Sequence, residues 1–329
     1  MIMKHTIPNL LAAAAVLAGA PLAQAAPFNP KDAAANPALL VHVDCDAIRD
    51  SSFGKSILNQ PDVQDKLAAV GAIFDFDFRK QLHGLTVYTT LDHPKDGVLI
   101  VYADFDSERL ITLAKAADGF HTITNGPHTI YSWIDDKKKA NEDGEKPRVY
   151  GAIKGHRVVF GQDEKHLADA LSVIDGSASS FAGSNGLLAK DSGESILAEG
   201  ELLKFDFDDP SDKAAIFKMC KSVRVKLSEH MDDMSATIRL ETADANTATQ
   251  VGSIAQGLLA ILKLQQDPDA LKLANAIAIK QNDSAVAVTL SVPSSELTDI
   301  IKEGQKKAEQ KKADKEKESE SSPKPSDGK

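Results

Sequence analysis

Aromatic residues make up only 5% of this 329-residue chain, and Trp133 is its one tryptophan. Sugar platforms and aromatic cages need exposed rings to stack on a ligand, so this scarcity counts against both. Catalytic signatures are missing as well. There is no GxSxG elbow, no SxxK, no HExxH and no CxxC, and residues 151–155 (GAIKG) and 183–186 (GSNG) lack the spacing of a phosphate loop or a dinucleotide fingerprint. Excess positive charge is absent too, since the chain carries a formal net charge of -10. The last 27 residues, 303–329, hold eight Lys against seven Asp plus Glu; without them and Lys4, 29 basic residues face 41 acidic ones. So acidic a body argues against nucleic acid or anionic lipid as its partner. After residue 26 no apolar run is free of polar interruption, so no transmembrane segment is expected beyond the first residues. Cysteine is limited to Cys45 and Cys220, which admit either a disulfide tying two halves of the chain together or two buried thiols acting as small hydrophobes.

The N-terminus has the layout of an export signal. Lys4 and His5 precede an apolar run over 10–18, and Ala23-Gln24-Ala25 forms a small-residue cleavage site, so residues 1–25 are expected to be removed and the mature chain to reach the periplasm or cell envelope, or to be secreted. At the other end, 303–329 is almost wholly Lys, Glu, Gln, Ser, Asp and Pro, with nothing apolar larger than alanine. Such a segment cannot offset its ordering entropy, which predicts a disordered tail that is helical at most in its first turns.

Between these ends the hydrophobic pattern changes period repeatedly. Residues 39–43 form an apolar strand, followed by Asp46 and Asp50 at helix-cap positions, and Pro61 opens a helix with Val63, Leu67, Val70 and Phe74 at three- and four-residue spacing. Strands over 85–91 and 98–103 flank the turn His93-Pro94-Lys95-Asp96-Gly97, and Asp106 caps the next helix. A hairpin turns at Asn125-Gly126, another strand pair spans 148–160, and Asp163 opens a helix that Gly176 ends. The Gly- and Ser-rich stretch 176–186 marks a boundary. The second half repeats the plan: strand 196–205, helix 210–220, hairpin 223–227 with 236–240, helix 244–264, a short helix from Pro268, hairpin 276–292 and a last helix.

The predicted fold class is therefore α+β, in two related halves of 26–178 and 195–302 joined by a linker over 179–194. Each half reads strand-helix-hairpin-helix-hairpin-helix, a ferredoxin-like βαββαβ order plus an extra strand and helix, with an antiparallel sheet carrying helices on one face. Whether the halves share one sheet stays open at this level.

Acidic pairs are the recurrent polar feature: Asp44-x-Asp46, Asp75-x-Asp77, Asp104-x-Asp106 and Asp206-x-Asp208. Two carboxylates at a strand end suit a hard cation, and Asp44, Asp46, Asp206 and Asp208 would hold Ca²⁺ or Mg²⁺ if the two halves met at a pseudo-twofold axis. The same residues also suit helix N-caps. His121 and His128 flank a hairpin turn and would share Zn²⁺ as diagonal neighbours, but no third ligand stands nearby in sequence. The helix over 244–264 mixes small residues with a broad apolar set that fits packing in its own core.

Leu40-Val-His-Val-Asp44 with Gly54-Lys55, His83-Gly-Leu-Thr-Val-Tyr88, Val101-Tyr-Ala-Asp104-Phe-Asp106, and Leu167-Ala-Asp-Ala-Leu171 with Asp175-Gly176 give the chain a resemblance to a loose group of uncharacterised exported bacterial proteins. The resemblance covers most of the body and implies a shared fold and an exported location, with no activity, cofactor or site residue to carry over. Taken together, the reading leans away from an enzyme and towards a non-catalytic module that binds a protein partner or a small ligand. A metal-dependent hydrolase built on the paired aspartates and a self-associating structural component of the envelope are the alternatives.

Overall fold

Residues Pro37–Asp44, PALLVHVD, bury every second side chain, as a strand covered on one face should. In the computed structural model, which describes residues 27–94, 96–140, 144–183, 194–205, 216–265 and 267–321 (backbone alone at 73, 74, 307–309 and 311–321), this strand lies near the middle of a single sheet. The elements in chain order are β1 (Pro37–Asp44), α1 (Cys45–Asp50), α2 (Ser52–Leu58), α3 (Pro61–Phe74), α4 (Phe78–Gln81), β2 (Leu82–Thr90), β3 (Gly97–Ala103) and α5 (Ser107–Lys115). Then come β4 (His121–Asn125), β5 (His128–Ile134), β6 (Arg148–Lys154), β7 (Arg157–Gly161), α6 (Glu164–Ile174) and β8 (Ile196–Glu201). The rest is β9 (Cys220–His230), β10 (Asp233–Thr242), α7 (Ala245–Lys263), α8 (Pro268–Ala276), β11 (Ile277–Asn282), β12 (Ala285–Pro293) and α9 (Ser294–Ser321).

The sheet has 12 strands in the order β11-β12-β10-β9-β8-β1-β2-β3-β7-β6-β5-β4. One continuous sheet thus carries the whole chain, joined where β1 pairs with β8 from Leu39↔Gly200 to Val43↔Ile196. Every neighbouring pair is antiparallel. That corrects the ferredoxin-like expectation, because a split βαβ unit needs parallel neighbours. Instead β1-β2-β3 and β8-β9-β10 each run as a meander, and a later hairpin returns to lay β7 against β3 and β12 against β10.

Cross-strand partners share a face, so the registers trace two faces across the sheet. On one face Leu40, Tyr88, Ile100, Val159, Ala152 and Ile130 pack under α6 through Leu167, Ala170 and Leu171. On the other, Leu99, Val101, Val158 and Phe160 pack under Leu110 of α5, and Leu240 and Val286 pack under Ala248 and Val251 of α7. The expectation of helices on one face therefore fails in the first half, where both faces are covered. Its sequence mark is the run Val98, Leu99, Ile100 and Val101, all buried, which does not alternate.

Local caps set the helix starts. Asp44, not Asp46, caps α1 by accepting the Ala47 N–H at 2.8 Å, and Ser51, not Asp50, caps α2 through the Gly54 N–H at 2.8 Å. Asp106, Asp163 and Asp244 cap α5, α6 and α7. Of the tail expected to be disordered from residue 303 beyond its first helical turns, residues up to Ser321 continue the backbone of α9 and 322–329 lie outside the described residues. The proposed signal at 1–25 and most of the linker lie outside the described residues, as do residues 210–215 of the helix expected over 210–220, whose last residue, Cys220, already belongs to β9.

Candidate functional site

The sequence pointed first to the aspartates, and the structure gives each described one a partner. Asp44 is spent on its cap. Asp46 is buried, ion-pairs with Arg49 one helical turn on, and accepts from His83 Nδ1 at 2.9 Å. His83 Nε2 in turn lies 3.3 Å from Asp104 Oδ2, so two of the acidic pairs, Asp44-x-Asp46 and Asp104-x-Asp106, meet around one buried imidazole. The hydrogen bond to Asp46 pins α1 to the start of β2. Asp206 and Asp208 lie outside the described residues. Phe205, the last described residue before them, follows the end of β8 that lies beside the start of β1, whereas Asp44 ends β1.

The cysteines do not pair. Both are free, and the registers explain why. Cys45 follows β1 at the end marked by Ile196 and Leu227, whereas Cys220 stands seven residues back along β9, roughly 23 Å away by strand rise. A disulfide spans no more than about 7 Å between Cα atoms. Burial, reinforced at Cys45 by the Asp44 charge, pushes both thiols up to about 11, which makes them unreactive near neutral pH.

His121 and His128 share a face of the β4–β5 hairpin but not a position. His121 stands opposite Ser132 and His128 opposite Asn125, roughly 13 Å apart along the strands, so they cannot share an ion. His128 is buried with its Nδ1 3.6 Å from Asp175 Oδ2. Among the described residues, the three side chains placed to share a metal are His93, Asp96 and His166, which the sequence reading did not bring together.

Two cavities lie beside the helices. One, of about 540 Å³, is lined mainly by polar residues including Ser52, Asp232, Ser294, Asp299 and Lys302 where α2 meets α9. The other, of about 360 Å³, lies between α3 and α4 beside Leu67, Gly71, Phe76 and Arg79.

The feature that stands out is a strip on the α5/α7 face of the sheet. At its flanks that face holds buried side chains, Leu99, Val101 and Phe160 on one side and Leu240 and Val286 on the other. Across the four strands between, β9, β8, β1 and β2, ten apolar side chains share the face: Val223, Val225 and Leu227; Ile196 and Ala198; Leu39, Val41 and Val43; Leu85 and Val87. All ten are only half-buried, and Ile238, opposite Val225 on β10, is 40% exposed. The reverse face is core at β8, β1 and β2, where Leu197, Leu40 and Tyr88 are buried, and turns polar only at β9 and β10. There Arg224 and Arg239 stand opposite one another, each held by a glutamate, Glu199 at 3.2 Å and Glu241 at 2.7 Å. The strip is thus a sheet face with the composition of a core that is only partly covered. Alternation in β1, β8 and β9 was visible in the sequence; that helices bury the flanks and leave the middle half-open was not.

No protein-family model matches this chain, and no curated protein matches it. Among solved structures, crystal form III of TP0453 is similar at 10% identity with a TM-score of 0.44, covering 83% of this chain and 98% of that one. Crystal forms I and IV of TP0453 are similar at 9% identity, with TM-scores of 0.44 and 0.42.

Proposed function

We propose that this protein is an exported, non-catalytic binding module of the cell envelope, and that its partner is another envelope protein that lays an aliphatic segment on the strip centred on Val41, Ala198 and Val225. The observation that carries the reading is the half-burial of ten contiguous apolar side chains in the middle of the sheet. A face of that kind favours association, because each apolar side chain withdrawn from water there contributes at roughly 25 cal/mol per Å².

The chemistry of the strip narrows the occupant. Its side chains are Val, Ile, Leu and Ala, with no ring and no charge, so aliphatic groups are the complement. A broad, flat aliphatic face of this kind suits contact with a protein surface. The chain's net charge of -10 favours a partner whose aliphatic segment is flanked by basic residues, and disfavours anionic lipid. In this reading the two meanders are one unit used twice, and the strip is where the two copies join at β1 and β8.

The test places a charge on either face of one strand pair. Val225→Asp on the strip should abolish capture of a stoichiometric partner from the native envelope, whereas Thr237→Asp on the polar face should leave it intact. Both variants should keep the parent's circular dichroism. Loss in both variants, or in neither, would remove the strip from the account. Capture of lipid alone, or concentration-dependent self-association lost in Val225→Asp, would replace the protein partner with a membrane or a second copy of the chain.

A further inference from the structure

On the face opposite the strip, at the turn joining β2 to β3, three metal-ligating side chains meet. His93 and Asp96 stand three residues apart in that turn, closed by the Asp96 N–H donating to the His93 carbonyl at 3.2 Å. His166 comes from the first turn of α6, 70 positions further on. One ligand atom from each of the three lies within 4.8 Å of the others. Asp96 Oδ2 is the hub, 3.5 Å from His93 Nδ1 and 3.8 Å from His166 Nε2. Ligand atoms around tetrahedral zinc, with bonds of about 2.0–2.1 Å, stand about 3.3 Å apart, so these separations need only a small closure.

His166 is prepared for the role by its neighbour. Asp163 caps α6 by accepting the His166 N–H on Oδ1 at 2.9 Å, and its Oδ2 stands 2.8 Å from His166 Nδ1. A carboxylate only accepts, so Nδ1 carries the proton in the neutral ring and the lone pair belongs to Nε2. That nitrogen is buried, has no hydrogen-bond partner, and is directed at Asp96. A buried polar atom without a partner is rare enough to require a reason, and an imidazole nitrogen whose other side is held by a carboxylate is the arrangement that zinc-binding histidines adopt. The His93 ring meets His166 edge to face, with centroids 4.6 Å apart, and is half exposed, so water can reach the open side of the cluster.

We infer that His93, Asp96 and His166 form a binding site for a late first-row divalent cation, Zn²⁺ above all, with Asp163 orienting His166 and water completing the coordination. Two imidazoles and one carboxylate suit Zn²⁺ far better than Ca²⁺ or Mg²⁺, which prefer oxygen throughout. The ion would tie the β2–β3 turn to the start of α6. The inference is independent of the strip, which lies on the other face.

The experiment is a zinc titration by calorimetry on the untagged full chain after chelation and dialysis, with metal content measured in parallel. The parent protein and a His121→Ala control should bind one Zn²⁺ per chain, and Co²⁺ in the same site should give the visible absorption of a four-coordinate ion. His93→Ala, at a half-exposed position, should lose retained zinc with its fold unchanged. Asp163→Asn keeps a good N-cap but removes the orienting charge, and should weaken zinc by about 10- to 100-fold. Failure of the parent chain to bind zinc, or equal binding by all four proteins, would overturn the site.

Discussion

Single carboxylates do more positioning here than their charges suggest. Glu229, near the end of β9, accepts the Ser52 and Phe53 N–H groups at 2.7 and 3.0 Å and so receives the exposed start of α2 from 177 residues away. Burial raises its carboxyl, but those N–H groups and the hydroxyls of Ser294 and Ser52 outweigh it, leaving the group below its ordinary value. A depressed folded-state value means that the contribution is complete above the unfolded value of about 4.3 and is lost as the pH falls through the folded one. Glu229→Gln is therefore expected to cost about 1 kcal/mol at pH 7, the scale of a helix cap, with the deficit shrinking as the pH falls below the unfolded value and through the depressed folded one. Urea denaturation across that range checks it, and a deficit independent of pH would contradict it. None of this was legible in the sequence, because residues 52 and 229 come together only once the sheet has formed. The same holds for the zinc candidate: His93 with Asp96 and Asp163 with His166 are each a local pair, but their meeting depends on α6 packing against β3 and β7. By contrast, the caps Asp106, Asp163 and Asp244 were readable, because a cap is a local hydrogen bond.

At the level of elements, hairpins with ordinary turn chemistry were placed within a few residues, whereas β9 and β10 were expected far too short. The cause is their turn. Met231 and Asp232 both have positive φ, 49° and 65°, the backbone of a two-residue hairpin turn that normally selects Asn and Gly. Without that signal, His230 to Asp233 read as a break in the strands. The conformation costs a residue with a β-carbon about 1–2 kcal/mol, and the Met231 side chain, 85% exposed, gains nothing in return. Met231→Asn is therefore expected to raise stability by about 0.5–1 kcal/mol, read as a higher denaturation midpoint at unchanged slope. A lower midpoint would mean that the methionine is held by contacts its exposure does not show. Helix α3 was legible for a different reason, its three- and four-residue spacing, yet it is weakly buried: Val63 and Leu67 are half-covered and Val70 is 43% exposed.

Across the whole molecule, the sheet is continuous because β1 and β8, the first strand of each meander, pair with one another. Sequence periodicity identified both strands and could not reveal the pairing, since alternation specifies which face a residue takes and not which strand lies alongside. The pairing places the half-open strip at the join; behind it lie buried Leu40, Tyr88 and Leu197 and, at β9 and β10, an ion-paired patch. The most direct measurement of the functional account uses two adjacent residues of β9. A photo-crosslinking side chain is placed in turn at Val225, on the strip, and at Lys226, on the polar face, and each chain is irradiated in its native envelope. The account predicts one protein adduct of defined mass from position 225, suppressed by Val41→Asp, and none from position 226. Equal adducts from both positions, or from neither under conditions that capture other envelope pairs, would contradict it.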